Sequence, residues 1–501
     1  MSSQRRSGVV LGYANIIIKN LVNLVYTPML LSFVGQADYG VFQTSYSFVF
    51  SLSLLSLGFS GAYIKFYSQV RTNGLVVRRL NGIYLVLYAT VSIVALLLGF
   101  AFSASAELIF SASFTSDEMG IARVVISVMA GSMAITLFNS IFDAYVLSHE
   151  EFRFQQSRQM LVTLATPFCA YGLLCLGFGV VGVAVAQLLV NLALLVMNAS
   201  FCLARLKMRF DVRHLNGALF RSIAVFSAWI FANQVCDLVN QNVPNVILGI
   251  FTSASTVAVF AVSVQIRNVF ISLSTTISNV FIPEINRIVA STNDNVVLTG
   301  LMTRAGRYQM ILFCWVYGGF AVLGRFFIEK WAGLGFQDAY LLVLIMVLPL
   351  AVSLTQNTGI EIQRAKNKHR ARSIAMLVAA VFNVVFTVAT ASKLGYWAPA
   401  IAYFISEFLC KGVFMNWYYQ RKIGLDMALF WRMNLPVVLC GGAAVTACLF
   451  GTAMVPVGGW AAFLVWGLAF SLLFAMLLWS FALSKEDRAL LTEKLKKRLS
   501  R

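Results

Sequence analysis

Lys19 is flanked at i−4 and i+4 by Asn15 and Asn23, in a run otherwise dominated by Ile, Leu and Val. A spacing of four places the three on one helical face, and Tyr26 and Thr27 continue the stripe. Arg267 stands in a second apolar run, with Asn268, Thr275 and Asn279 on neighbouring turns. A third run carries Asn233, Asp237, Asn240 and Gln241 on a polar face that ends at Pro244. A fourth holds Glu407 and Lys411 at i, i+4, with the acid first, the favoured order. Ionisable groups at bilayer depth are costly, and they mark binding sites, ion paths or buried pairs. Lys19 lies about eleven residues into its run, ~16 Å deep at 1.5 Å per residue, too far to snorkel easily. The deepest charges are therefore cations set among amides, and the chemistry this suits is anion binding. Arg offers bidentate hydrogen bonds and Lys a point charge, so a phosphate or pyrophosphate is the natural ligand. Asp237 either neutralises a buried cation or holds a coupling ion, H+ or Na+. Glu407 and Lys411 are expected to neutralise each other, with coupling or gating as the alternative. Lys65, Arg123 and Asp143 fall near run ends, where long side chains reach the interface.

Enzyme chemistry finds little support. The three histidines, His149, His214 and His369, lie between apolar runs, and the eight cysteines lie inside them without a CxxC or metal-ligand spacing. No GxxxxGK[ST] occurs. We expect no enzyme, no metal and no cofactor beyond a coupling ion.

The elements that position these residues follow from composition. The chain has 501 residues, 59% hydrophobic and 11% charged, with a mean hydropathy of +0.81. A soluble domain has about 25% charged residues, so an all-α, multi-pass membrane protein is expected. Hydropathy predicts fourteen spans, among them 8–34, 39–67, 156–178, 219–249, 254–283, 335–360 and 396–418. Basic residues test the number: thirty fall in segments on one side and three on the other, the bias expected when the richer side is cytoplasmic. Both termini are then cytoplasmic, and the net charge of +19 needs no nucleic acid to explain it.

A shift of 216 residues aligns Pro28 with Pro244 and Met160-Leu161-Val162 with Met376-Leu377-Val378. Corresponding spans are six apart, so the two copies run parallel. This divides the chain into a first lobe at 1–203 (spans 1–6), a basic linker at 204–221 and a second lobe at 222–418 (spans 7–12). A helix pair at 433–483 and a basic tail at 484–501 follow. The tail places Leu491, Leu495 and Leu499 among lysines, a pattern suited to lying on an anionic leaflet. Two similar lobes are suited to rocking about a central site, which points to a transporter.

The stretch from Tyr26-Thr27-Pro28 through Gly35, Tyr39-Gly40 and Leu57-Gly58-Phe59 resembles the opening of Wzx-type polysaccharide flippases. These belong to the multidrug/oligosaccharidyl-lipid/polysaccharide (MOP) exporter superfamily, which includes the MATE transporters. The resemblance implies a MOP-like fold in a bacterial inner membrane. It also implies transfer of undecaprenyl-pyrophosphate-linked oligosaccharides from the cytoplasmic to the periplasmic leaflet. Membrane lipids, a polysaccharide polymerase and export machinery would be its partners. Related peptidoglycan-lipid flippases use a basic residue in span 1, an acid just after it, a basic residue in span 2 and an Arg in span 8. Lys19, Asp38, Lys65 and Arg267 stand in comparable places, with lysine at 19 and 65 where arginine is usual. A small-molecule exporter of the multidrug branch is the alternative, but deep cations suit cationic drugs poorly. A membrane-embedded glycan polymerase would need a larger exposed loop than the chain has.

Overall fold

The computed structural model describes residues 3–213, 231, 234–235, 238–239, 241–279, 281–366, 368 and 370–483. Asn233, Asp237, Asn240, the second half of the expected linker and the 484–501 tail lie outside the described residues. The described residues form helices and no strands. Ten helical segments are long and apolar enough to cross a membrane, as a multi-pass membrane protein requires. The chain divides into two compact units, residues 1–261 with 384–398, and 262–383 with 399–501.

In the first unit, α1 (Ser3–Phe50) runs through two of the expected spans, with Pro28 inside it and Gly35 at φ 75°, ψ 180°. Only glycine takes that backbone readily, so a single residue turns one span into the next. Gly40 meets a different demand. A Cβ there would lie 1.8 Å from the carbonyl oxygen of Ala254. The same face of α1 meets α7 (Val243–Phe251), where Asn245 donates to the Ser47 hydroxyl at 3.0 Å.

The second expected span is broken. A 3-10 turn at Ser51–Ser56 leads to Leu57 and Gly58, both left-handed, before α2 (Phe59–Val70). The Leu57-Gly58-Phe59 motif is this break. Irregular backbone at membrane depth persists only where protein or a wet cavity satisfies it. Here Leu57 N–H donates to the Leu54 carbonyl at 3.0 Å, and Ala62 N–H to Gly58 at 3.3 Å.

Helix α3 (Gly74–Ala104) packs beside α4 (Ser116–Ser148), which in turn packs beside α6 (Gly179–Ser200). Helix α5 (Phe152–Cys175) lies against α1 and α6. Past α6 the chain returns to α3: Asn81 donates to the Arg209 carbonyl at 2.9 Å. Asp211 sits so close to Gly82 that a Cβ would come within 2.0 Å of its carbonyl oxygen. The first part of the expected linker is thus bound to the first unit.

Helix α8 (Ala254–Asn279) begins in the first unit and continues into the second. There α9 (Ile282–Ser291) and the long α10 (Asn295–Trp331) follow. The expected span 335–360 becomes α11 (Ala339–Val347), α12 (Leu350–Thr355) and the start of α13 (Asn357–Ala365). Pro349 stands at the first of these breaks. Helices α14 (Arg370–Leu394) and α15 (Trp397–Ser406) lead into a π-helical stretch at Glu407–Phe414. The terminal pair, α16 (Met427–Met454) and α17 (Trp460–Leu477), packs on α10 and on itself.

Candidate anion and counter-ion site

Arg267 lies thirteen residues along α8, roughly 20 Å from its start by helix rise, and is 3% exposed. Its guanidinium carbon stands 4.4 Å from the centroid of the Tyr403 ring, a cation–π distance. One terminal nitrogen donates weakly to Asn268 Oδ1 at 3.4 Å, and Nε has no hydrogen-bond partner among the described residues.

Tyr403 belongs to α15, and the same face continues at Glu407 and Lys411 by steps of four. Lys411 Nζ lies 2.5 Å from Glu407 Oε1, so the expected pair forms. Glu407 is 6% exposed, and its Oε2 has no hydrogen-bond partner among the described residues. Arg372 of α14 and Cys410 lie within its electrostatic reach. The carboxylate therefore begins a π-helical turn, a feature frequent at functional sites. Arg267 thus faces the Tyr403 ring, and further along the same helix Lys411 holds Glu407.

The remaining expected site residues fall in the first unit. Asn15 is buried and accepts a 3.4 Å hydrogen bond from Thr163 of α5. Lys19, one turn on, is exposed, and Asn23 is half-buried. Asp38 is half-buried just past the Gly35 kink, and Lys65 is exposed on α2 beyond the break, 5.9 Å from the Phe66 ring centroid. Asp237 lies outside the described residues. Among the described residues no group of three or more His, Cys, Asp or Glu could hold a metal ion.

One charge pair differs from expectation. The count of basic residues assigns Arg158 to a cytoplasmic segment, and Asp143 is expected at the interface. Arg158 of α5 is instead 5% exposed and ion-paired with Asp143 of α4. Asn198 of α6 donates to Asp143 at 2.9 Å and to Asn139 at 2.8 Å, and two turns away Asn191 donates to Ser132 at 2.8 Å. The signal was available: positions 143 and 158 are equidistant from the turn at 150–151, as hairpin partners must be. Arg267's approach to Tyr403 had no such signal, because the two helices are separated by more than a hundred residues.

Known proteins resemble the chain over most of its length. The family model described as "Polysaccharide biosynthesis protein" matches residues 29–340, more than half of the chain. The uncharacterized membrane protein EpsK of Bacillus subtilis (strain 168) is 21% identical over 487 residues, 94% of each chain. Among solved structures, a lipid II flippase, MurJ, in an inward closed conformation superimposes with a TM-score of 0.73 at 13% identity, covering 94% of this chain and 97% of that one. An inward-facing MATE multidrug transporter of the MOP superfamily gives a TM-score of 0.61 at 14% identity, over 81% and 94%. The chain thus shares the fold of these MOP-superfamily transporters and belongs to the polysaccharide biosynthesis protein family.

Proposed function

We propose that this protein moves polyprenyl-pyrophosphate-linked oligosaccharides, with undecaprenyl as the carrier, from the cytoplasmic to the periplasmic leaflet by alternating access. The observation that carries the reading is Arg267, a deeply buried guanidinium resting on an aromatic face in a chain of this family. Such a group binds an anionic head without a soluble substrate's long-range charge, while the prenyl tail stays in lipid. Lys19, Lys65, Asp38, Asn15 and Asn23 are proposed to line the path of the head group and glycan, and Asp237 to bear on ion coupling. An inside-negative potential favours outward movement of the anion by ~2.3 kcal/mol per charge per 100 mV.

The test is surface glycan in a deletion strain complemented at matched protein level. Arg267→Ala should insert and fold but lose export, and Arg267→Lys should keep part of it, since charge survives and the planar fork does not. Export at the wild-type level by Arg267→Ala would overturn the assignment. If Arg267 serves only to neutralise Asp237, the Asp237→Asn/Arg267→Gln double variant will export normally while each single change damages export.

A further inference from the structure

We infer that the chain just past α6 forms, with the start of α3, a basic plate on the first unit that binds the headgroups of anionic phospholipids. This site is separate from Arg267 and does not depend on the reading of that residue.

Residues 74–82 and 201–213 hold Arg78, Arg79, Arg205, Lys207, Arg209 and Arg213 against a single acid, Asp211. The chain leaves the helix through Lys207, whose φ is 53°, and Met208 N–H reaches back to the Cys202 carbonyl at 2.9 Å. A helix that ends this way usually has glycine at the left-handed position; lysine keeps a charge there. From Lys207 to Val212 the chain runs without helix, and its side chains alternate. Met208 is buried and packs with Phe210 in the cluster around Tyr63, Leu80 and Tyr145. Lys207 and Arg209 are exposed between them.

The backbone of this strap is fixed. Besides the bond from Asn81 and the close approach of Gly82, Asp211 N–H donates to the Arg78 carbonyl at 2.9 Å. These bonds hold the main chain and leave the cationic side chains outside. Arg79 Nε lies 3.7 Å from Asp211 Oδ2, an ion pair open to water and therefore weak. Arg205 stands 5.3 Å from the Phe201 ring centroid. The second unit treats its cations differently. Arg364 meets Glu361 at 2.7 Å, Lys368 donates to the Lys422 carbonyl at 2.9 Å, and Lys366 donates to Asn295. There the protein's own oxygens answer the charge; in the plate most of it faces outward.

Position and neighbours select the anion. The helices that begin at Gly74 and end at Arg205 are both long and apolar enough to cross a membrane, so the plate lies where two spans leave the bilayer. Leu75, Leu203 and Val212 are 66%, 48% and 49% exposed beside the cations. A soluble phosphate offers such side chains nothing. The boundary between headgroups and acyl chains takes both kinds at once, the cations reaching the phosphates.

The experiment titrates the full-length protein in detergent with dioleoylphosphatidylglycerol or dioleoylphosphatidylcholine and counts bound lipid by native mass spectrometry. A basic residue at an anionic surface favours binding by about fivefold, less when screened. The wild type should therefore take its first phosphatidylglycerol about tenfold more tightly than phosphatidylcholine. Lys207→Gln/Arg209→Gln/Arg213→Gln removes three exposed charges and none of the backbone bonds, and should bring the preference to within about twofold. Arg304→Gln/Arg370→Gln/Arg421→Gln, an equal loss from exposed positions of the second unit, should keep it. Equal affinity of the wild type for the two lipids, or equal losses in the two triple variants, would overturn the plate. Release of bound phosphatidylglycerol by inorganic pyrophosphate would overturn the choice of a lipid over a soluble anion.

Discussion

Each unit buries an arginine, and the two meet different partners: a carboxylate in the first and an aromatic ring in the second. In the first unit Arg158 meets Asp143 directly, and Asn198 donates to the same carboxylate while also holding Asn139. Carboxamides, hydroxyls and the ion pair form one ladder between α4, α5 and α6. In the second unit Arg267 rests on a ring, its Nε has no partner among the described residues, and the nearby carboxylate leaves an oxygen uncommitted. Arg158 Nε, like Arg267 Nε, has no hydrogen-bond partner among the described residues, so the contrast lies in the carboxylate that Arg158 meets and the ring that Arg267 meets instead. On the proposed function, the first arginine belongs to a brace and the second to a receptor.

The contrast can be broken most directly at Asp143. Asp143→Leu leaves Arg158 buried beside apolar groups. Losing one partner of a buried pair costs roughly 3–5 kcal/mol; because the Asp143 side chain is 42% exposed, we expect about 2 kcal/mol. Thermal unfolding in detergent should show it, and Asp143→Leu/Arg158→Met should recover most of the loss. A single variant as stable as wild type would show that the ladder is not a brace.

Tyr403 sharpens the other half. Tyr403→Leu removes the ring beneath Arg267 and should weaken binding of farnesyl-pyrophosphoryl-N-acetylglucosamine, a short-chain pyrophosphate-linked sugar, to the full-length protein about fivefold, the effect of a cation–π contact of ~1 kcal/mol. Tyr403→Phe keeps the ring, so the loss should stay within about twofold. Equal losses in the two variants would assign the effect to the hydroxyl. The smallest change is expected in the stability of Glu407→Gln, within about 1 kcal/mol of wild type, since Oε2 has no hydrogen bond to lose. A drop as large as that of Asp143→Leu would make Glu407 a second brace.

What the sequence reveals of all this depends on how local each contact is. The long apolar helices follow from hydropathy, and the Glu407–Lys411 pair from a spacing of four. Tyr403 stands at the same spacing before Glu407, so the face was legible although its role was not. Arg158 was hidden by a rule that is statistical over loops: a basic residue after a turn counts toward the loop, whether or not it points back at a carboxylate. Arg267 was legible as a buried cation because apolar neighbours surround it. That it lies on Tyr403 follows from which helices pack, a property of the whole fold. Gly35 and Gly40 show the reverse case, where motif residues gain their reason only from geometry, one from a backbone angle and the other from a carbonyl oxygen.

The break at Leu57 and Gly58 has a consequence for biogenesis. The helical stretch from Ala14 to Val70 holds a window apolar enough to span a membrane, and no charged residue falls between Asp38 and Lys65, so the insertion machinery meets no charge at residue 57. Partition into the bilayer and breaking of the helix are therefore separate events. The segment can enter as continuous helix, its backbone groups paired within itself, and bend only when neighbouring helices are present to receive it. Tyr88 of α3, whose hydroxyl meets Ser60 at 2.7 Å, is among the groups that receive it. On this view the bend is a late product of assembly, and α3 must be in the membrane before the second span attains its final shape.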